Sequence, residues 1–137
     1  MQTILVGYDD SEQAQRALDR AIELAKALGA EIVVASVAPV AISSGRSAGP
    51  IDPTDTPQQH RDQLQTAAEK VQAAGLSVKL VPAIGHPAET IVHAANEAAA
   101  DLIVVGSREL GVIPRLLGQS VSTSVAAHAT CDVLIVH

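Results

Sequence analysis

The stretch Asp101–Gly106, "DLIVVG", decides the fold. Four consecutive aliphatic residues, Leu102 to Val105, leave it no polar face. A strand of that kind is covered on both sides and lies in the middle of a sheet. A helix-period segment, Ala88–Ala99, precedes it, with Ile91, Val92, Ala94, Ala95 and Ala98 on one face. Gly106 and a loop follow it, and the spacing predicts a short helix over Ser120–Ala129.

Working outward, Thr3–Tyr8 ("TILVGY") is a second continuous strand, and Glu31–Val37 ("EIVVASV") a third run of the same kind. Between them Ala14, Ala17, Leu18, Ala21, Ile22, Ala25 and Leu28 recur at the spacing of one helix face. Asp10 or Ser11 supplies the N-cap of that helix, and Gly29 ends it. Gln58–Ala74 reads as a second helix stopped by Gly75. Ser77–Ala83 ("SVKLVPA") alternates and contains Lys79 and Pro82, so it belongs at a sheet edge, where a missing backbone donor is tolerated. Cys131–His137 ("CDVLIVH") is the last strand.

Strict alternation of strand and helix implies a parallel sheet with right-handed crossovers. The expected fold is a single α/β domain over residues 1–137: an open, doubly wound, five-stranded parallel sheet with helices on both faces. With the first and fourth strands central, the order is 3-2-1-4-5. The winding reverses between those two strands, and such sheets bind ligands beyond the strand ends at that reversal. Residues Ala38–Pro57, rich in Ser, Gly and Pro, read as a long surface loop, either a tolerated insertion or a lid.

Composition narrows the function. Apolar residues make up 47% of the chain and aromatics 1%, which offers no stacking platform for single-stranded nucleic acid. The net charge of −6 and the lack of a basic run argue against duplex binding. No apolar run approaches a membrane span. "MQTILVGYDD" lacks the basic region of a leader and reads as the first strand. A lone cysteine, Cys131, forms no internal disulfide and fits a cytoplasmic protein; it is expected to be buried and inert. His86 and His93 have no companions that would complete a metal set and read as surface histidines. No catalytic set is evident, and "GYDDSE" lacks the dehydrogenase glycine fingerprint.

"ILVGYDDSEQAQRALDRAIELAKALGAEIVVASV", "GHPAETIVHAANEAAADLIVVGSRELG" and "SVSTSVAAHATCDVLIVH" together resemble the universal stress protein family over nearly the whole chain, apart from Ala38–Pro57. The resemblance implies a cytoplasmic stress-response protein and a homodimer through the last strand, here Val133, Leu134, Ile135 and Val136. One branch of the family binds ATP through a Gly-x-x-Gly motif followed, after a spacer, by Gly and then Ser or Thr. Another branch lacks the motif and does not bind ATP. By resemblance the nucleotide residues here are Gly7, Asp9, Val37, Val105, Gly106, Arg108, Ser120 and Ser122. Asp9 matches the aspartate near adenosine, and Val37 the position whose backbone reads adenine.

The motif departs from the ATP-binding pattern at two positions. Gly106 and Ser120 match it, but Glu109 stands on the second glycine and Gln119 on the third. Glycine is wanted there so that backbone N–H groups can approach phosphate oxygens. A carboxylate about 5 Å from a phosphate charge is repelled by roughly 3 kcal/mol at an effective dielectric near 20. One charge-assisted hydrogen bond returns only about 1.5–3 kcal/mol. Arg108 and Arg115 could pair with phosphates or form a solvated face, and Ser120 and Ser122 could bind phosphate or cap a helix. Two readings stay open. One is a non-catalytic interaction module with a degenerate adenine-nucleotide site and impaired ATP binding. The other is a regulatory switch that binds ATP, ADP or AMP with slow or no hydrolysis, Mg entering only with a nucleotide.

Overall fold

Strand and helix alternate along the chain: β1 (Thr3–Gly7), α1 (Glu12–Leu28), β2 (Glu31–Ala38), α2 (Pro57–Ala73), β3 (Val78–Ile84), α3 (Pro87–Ala98), β4 (Leu102–Gly106), α4 (Val121–His128) and β5 (Asp132–Val136). This is a computed structural model; it describes residues 2–9, 11–38, 57–107 and 121–137, without the side chains of 37–38, 57–60 and 83–84. Asp10 and the interior of the Ala38–Pro57 loop lie outside the described residues.

The strands form one sheet in the order β3-β2-β1-β4-β5, and every pairing is parallel. The expected order is therefore the observed one. The two most continuous aliphatic runs lie in the middle: Ile4, Leu5 and Val6 are fully buried, as are Ile103 and Val104. Strand alternation sends Ile4, Val6, Ile32, Val34, Leu102 and Val104 to one face, under α1 and α2. Leu5, Val33, Ala35, Ile103 and Val105 point to the other, under α3 and α4. With almost no aromatic side chains, helices and sheet approach closely over alanine: Ala14, Ala17, Ala21 and Ala25 of α1 are all buried.

Local signals explain the element ends. Ser11 is the N-cap of α1, its Oγ accepting from the Ala14 amide at 3.1 Å. Gly29 ends the helix in the left-handed region, φ 71°. Leu28, expected on the buried stripe, is 48% exposed. It lies beyond Ala25, the last buried position of that stripe, where the chain already turns into β2. Helices α2 and α3 each begin one residue earlier than the sequence suggests, at Pro57 and Pro87. Proline fits the first helical turn, because the N–H it lacks would have no intrahelical acceptor there. The end of α3 carries no glycine; Ala99 itself adopts the left-handed conformation, φ 54°.

At the N-terminal edge of the sheet Asp101 fastens β1 to β4. Its Oδ2 accepts from the amides of Gln2 (2.8 Å) and Thr3 (3.0 Å). These backbone donors hold the Asp101 carboxyl below the usual carboxylate range. Cys131 is half-buried and not fully buried, because it precedes β5 at the sheet's edge. Partial burial, and next the Asp132 and Asp101 carboxylates, push its thiol up, which disfavours the reactive thiolate. His86 and His93 are exposed, and among the described residues no His, Cys, Asp and Glu group is placed to hold a metal.

Candidate functional site: the crevice between β1 and β4

The backbone ladders place the crevice. β1 and β4 are in register at Ile4↔Leu102, Leu5↔Ile103 and Val6↔Val104, and their pairing stops there. β1 continues along β2 through Gly7↔Ala35, and the Tyr8 amide donates to the Ala35 carbonyl at 2.9 Å. β4 continues along β5 through Gly106↔Val136, and the Ser107 amide donates to the Val136 carbonyl at 2.8 Å. The two central strands thus part at their C-terminal ends, each following its outer neighbour. The opening lies at the reversal of winding, where doubly wound sheets take ligands.

Asp9 stands at the lip of this opening. It is exposed, and its Oδ1 accepts from the Ser11 amide at 3.0 Å. Ser11 provides the side-chain cap of α1, so the helix does not depend on Asp9 for that role. A carboxylate there can accept from a ribose hydroxyl or a base amine. Val37 pairs with Ala83 one position before the end of the β2–β3 ladder, at the same end of the sheet.

Gly7 and Gly106 end the two central strands; Gly106 is held to glycine by backbone packing, and Gly7 faces side chains that an added Cβ would have to push aside. A Cβ on Gly7 would lie 2.9 Å from Ile91 Cδ1 and 3.1 Å from Val105 Cγ1, on the α3 face. A Cβ on Gly106 would lie 2.6 Å from the C and O atoms of Gln13, on the α1 face. The sequence reading missed both contacts. Alternation was the available signal, since Gly106 shares its parity with the α1-facing Leu102 and Val104.

The remaining candidates divide. Val105 is 4% exposed with its side chain in the α3 cluster, leaving its backbone as the part near the crevice. Ser122 is buried, at 5%, in the first turn of α4, and it points inward. Arg108, Glu109, Arg115, Gln119 and Ser120 lie outside the described residues.

A small doubly wound domain with a crevice at its winding reversal has the α/β architecture in which ligands bind beyond the C-terminal ends of the strands. The model of the universal stress protein family matches residues 1–137, and the chain belongs to that family. It is 37% identical to a Mycobacterium tuberculosis universal stress protein, with 98% of this chain and 95% of that one covered. It is 33% identical to Bacillus subtilis universal stress protein YxiE, with 97% of each covered. A crystal structure of a universal stress protein in complex with cAMP matches with a TM-score of 0.78 and 32% identity, covering 99% of this chain and 97% of that one.

Proposed function

We propose that this chain is a cytoplasmic, non-catalytic stress-response module. Its crevice takes an adenine nucleotide with a single phosphate, and it binds ATP poorly. The observation that carries this reading is the parting of β1 and β4 beside Asp9. The similar universal stress protein crystallised with cAMP supports an adenosine ligand. The charge of the loop sets the preference. Glu109 replaces a motif glycine, and its carboxylate penalises each added phosphate charge. A cyclic monophosphate carries the least charge of the adenine nucleotides and suffers least.

The module acts as a homodimer through β5. Val133, Leu134 and Ile135 are apolar yet only partly buried on this edge strand, and an open apolar edge is one that native proteins cover. Pairing of two such edges across a twofold axis uses the same surface on both copies.

Calorimetric titration with cAMP, AMP and ATP tests the ligand reading. Wild type is expected to bind the monophosphates more tightly than ATP. Glu109→Gly with Gln119→Gly should tighten ATP at least tenfold, about 1.4 kcal/mol, and cAMP less. Asp9→Ala should weaken all of them. Tight ATP binding by wild type would refute the charge argument, and no binding of any nucleotide would refute the site.

A further inference from the structure

Helix α1 starts with short contacts that run from the crevice lip to the end of β4. The Ser11 amide donates to Asp9 Oδ1 at 3.0 Å, and Ser11 Oγ accepts from the Ala14 amide at 3.1 Å. Within that turn, Gln13 lies directly over Gly106. A Cβ on Gly106 would stand 2.6 Å from Gln13 C, 2.6 Å from Gln13 O and 2.7 Å from Gln13 Cβ. Carbon atoms in ordinary contact are about 3.5–4.0 Å apart, so a methyl group there requires a shift of roughly 1 Å. The obstructing C and O atoms are backbone, so no rotamer change relieves the overlap. Relief requires the first turn of α1 and the end of β4 to move apart.

We propose that Gly106 is the seat of helix α1 and acts, through Gln13 and Ser11, as a positioning residue for the Asp9 carboxylate. The seat follows from the packing alone; its consequence for binding rests on the crevice being an adenosine site. A glycine at the head of the phosphate loop then governs the nucleoside half of the ligand. Displacing α1 moves the Ser11 amide that holds Asp9 in place.

The test uses Gly106→Ala in the full chain, with adenosine and AMP as separate probes. If Gly106 seats α1, affinity for both ligands falls by the same factor, at least tenfold, although adenosine has no phosphate. Loss of AMP affinity with adenosine affinity unchanged would overturn the proposal. A ligand-free measurement keeps the seat separate from the site: amide hydrogen exchange at Ala14. Gly106→Ala should reduce its protection at least tenfold relative to the amides of α2. Val71→Ala, a core truncation in α2 far from this turn, should lower the melting temperature without that local change. If wild type binds neither ligand, the adenosine reading fails, and the exchange result alone decides the seat. Should Gly106→Ala not fold, Ser11→Pro carries the binding test: the Ser11 φ of −76° suits proline, and the change removes the amide that holds Asp9, so adenosine affinity should drop, and drop further than in Ser11→Ala, which keeps that amide. Affinity in Ser11→Pro no lower than in Ser11→Ala would refute the link from α1 to Asp9.

Discussion

Replacing Gly7 by alanine tests whether this glycine is held by packing or by a ligand. The new Cβ would meet Ile91 Cδ1 at 2.9 Å and Val105 Cγ1 at 3.1 Å. Overpacking a buried site costs about 1–3 kcal/mol. Gly7 is not among the glycines of positive φ, so alanine fits its backbone, and the loss of chain entropy in the unfolded state returns about 0.4–1 kcal/mol. The net expectation is a destabilisation of about 1–2 kcal/mol. Ile91→Val removes the Cδ1 atom that makes the shortest contact and leaves Ile91 Cγ1, at 3.6 Å, in ordinary contact. Alone it should cost about 0.5–1.5 kcal/mol, because Ile91 is 5% exposed in the α3 cluster. Combined, the two changes should be less harmful than their sum by about 1 kcal/mol, since the methyl group moves into the space that Cδ1 leaves. Urea denaturation of the wild type, both single variants and the double variant measures the coupling. Additive effects within about 0.3 kcal/mol would refute the packing argument for Gly7.

Further outcomes concern pH and assembly. Asp101 has its folded pKa lowered, so its contribution to stability is present above the unfolded carboxylate value and is lost as pH falls through the lower folded value. Melting temperatures of wild type and Asp101→Asn should therefore differ at neutral pH and converge in acid; a constant difference across the range would refute the clamp's electrostatic role. For the dimer, Leu134 packs toward the α1 face and Ile135 toward the α3 and α4 face. Sedimentation should show a wild-type dimer and a folded monomer for one of Leu134→Lys and Ile135→Lys; a monomeric wild type, or dimers in both variants, would refute assembly through β5.

The sheet was legible because its signals are local and agree with one another. Leu102–Val105 and Ile4–Val6 are uninterrupted aliphatic runs, Pro82 marks β3 as an edge, and Gly29 stops α1. Boundaries slipped where one residue type carries opposite meanings. Proline breaks helix interiors but suits helix starts, and Pro57 and Pro87 do the latter. Leu28 fitted the periodic stripe, but periodicity says nothing of where the sheet beneath a helix ends. The position of Asp9 followed from topology. The contacts of Gly7 and Gly106 did not, because they depend on how closely α3 and α1 approach the strands, a distance set by the whole alanine-rich interface.

Those contacts change what the glycine pattern says about ligands. In a phosphate loop, glycine is taken to mean close approach of backbone to an anion. Gly106 would have to remain glycine with no ligand at all, because Gln13 occupies the space of its Cβ. Its presence beside Glu109 and Gln119 is therefore no evidence in itself for triphosphate binding. Asp9 bears on the opposite side. Ser11 supplies the side-chain cap of α1, and Asp9 Oδ1 accepts from the Ser11 amide. On the proposed reading, the Asp9 carboxylate at the lip of the crevice also accepts from a ligand that donates hydrogen bonds. Donation of that kind comes from a ribose or a base and not from a phosphate, which is why discrimination between adenosine and its phosphates, more than affinity for ATP, is the property that distinguishes the functions open to this chain.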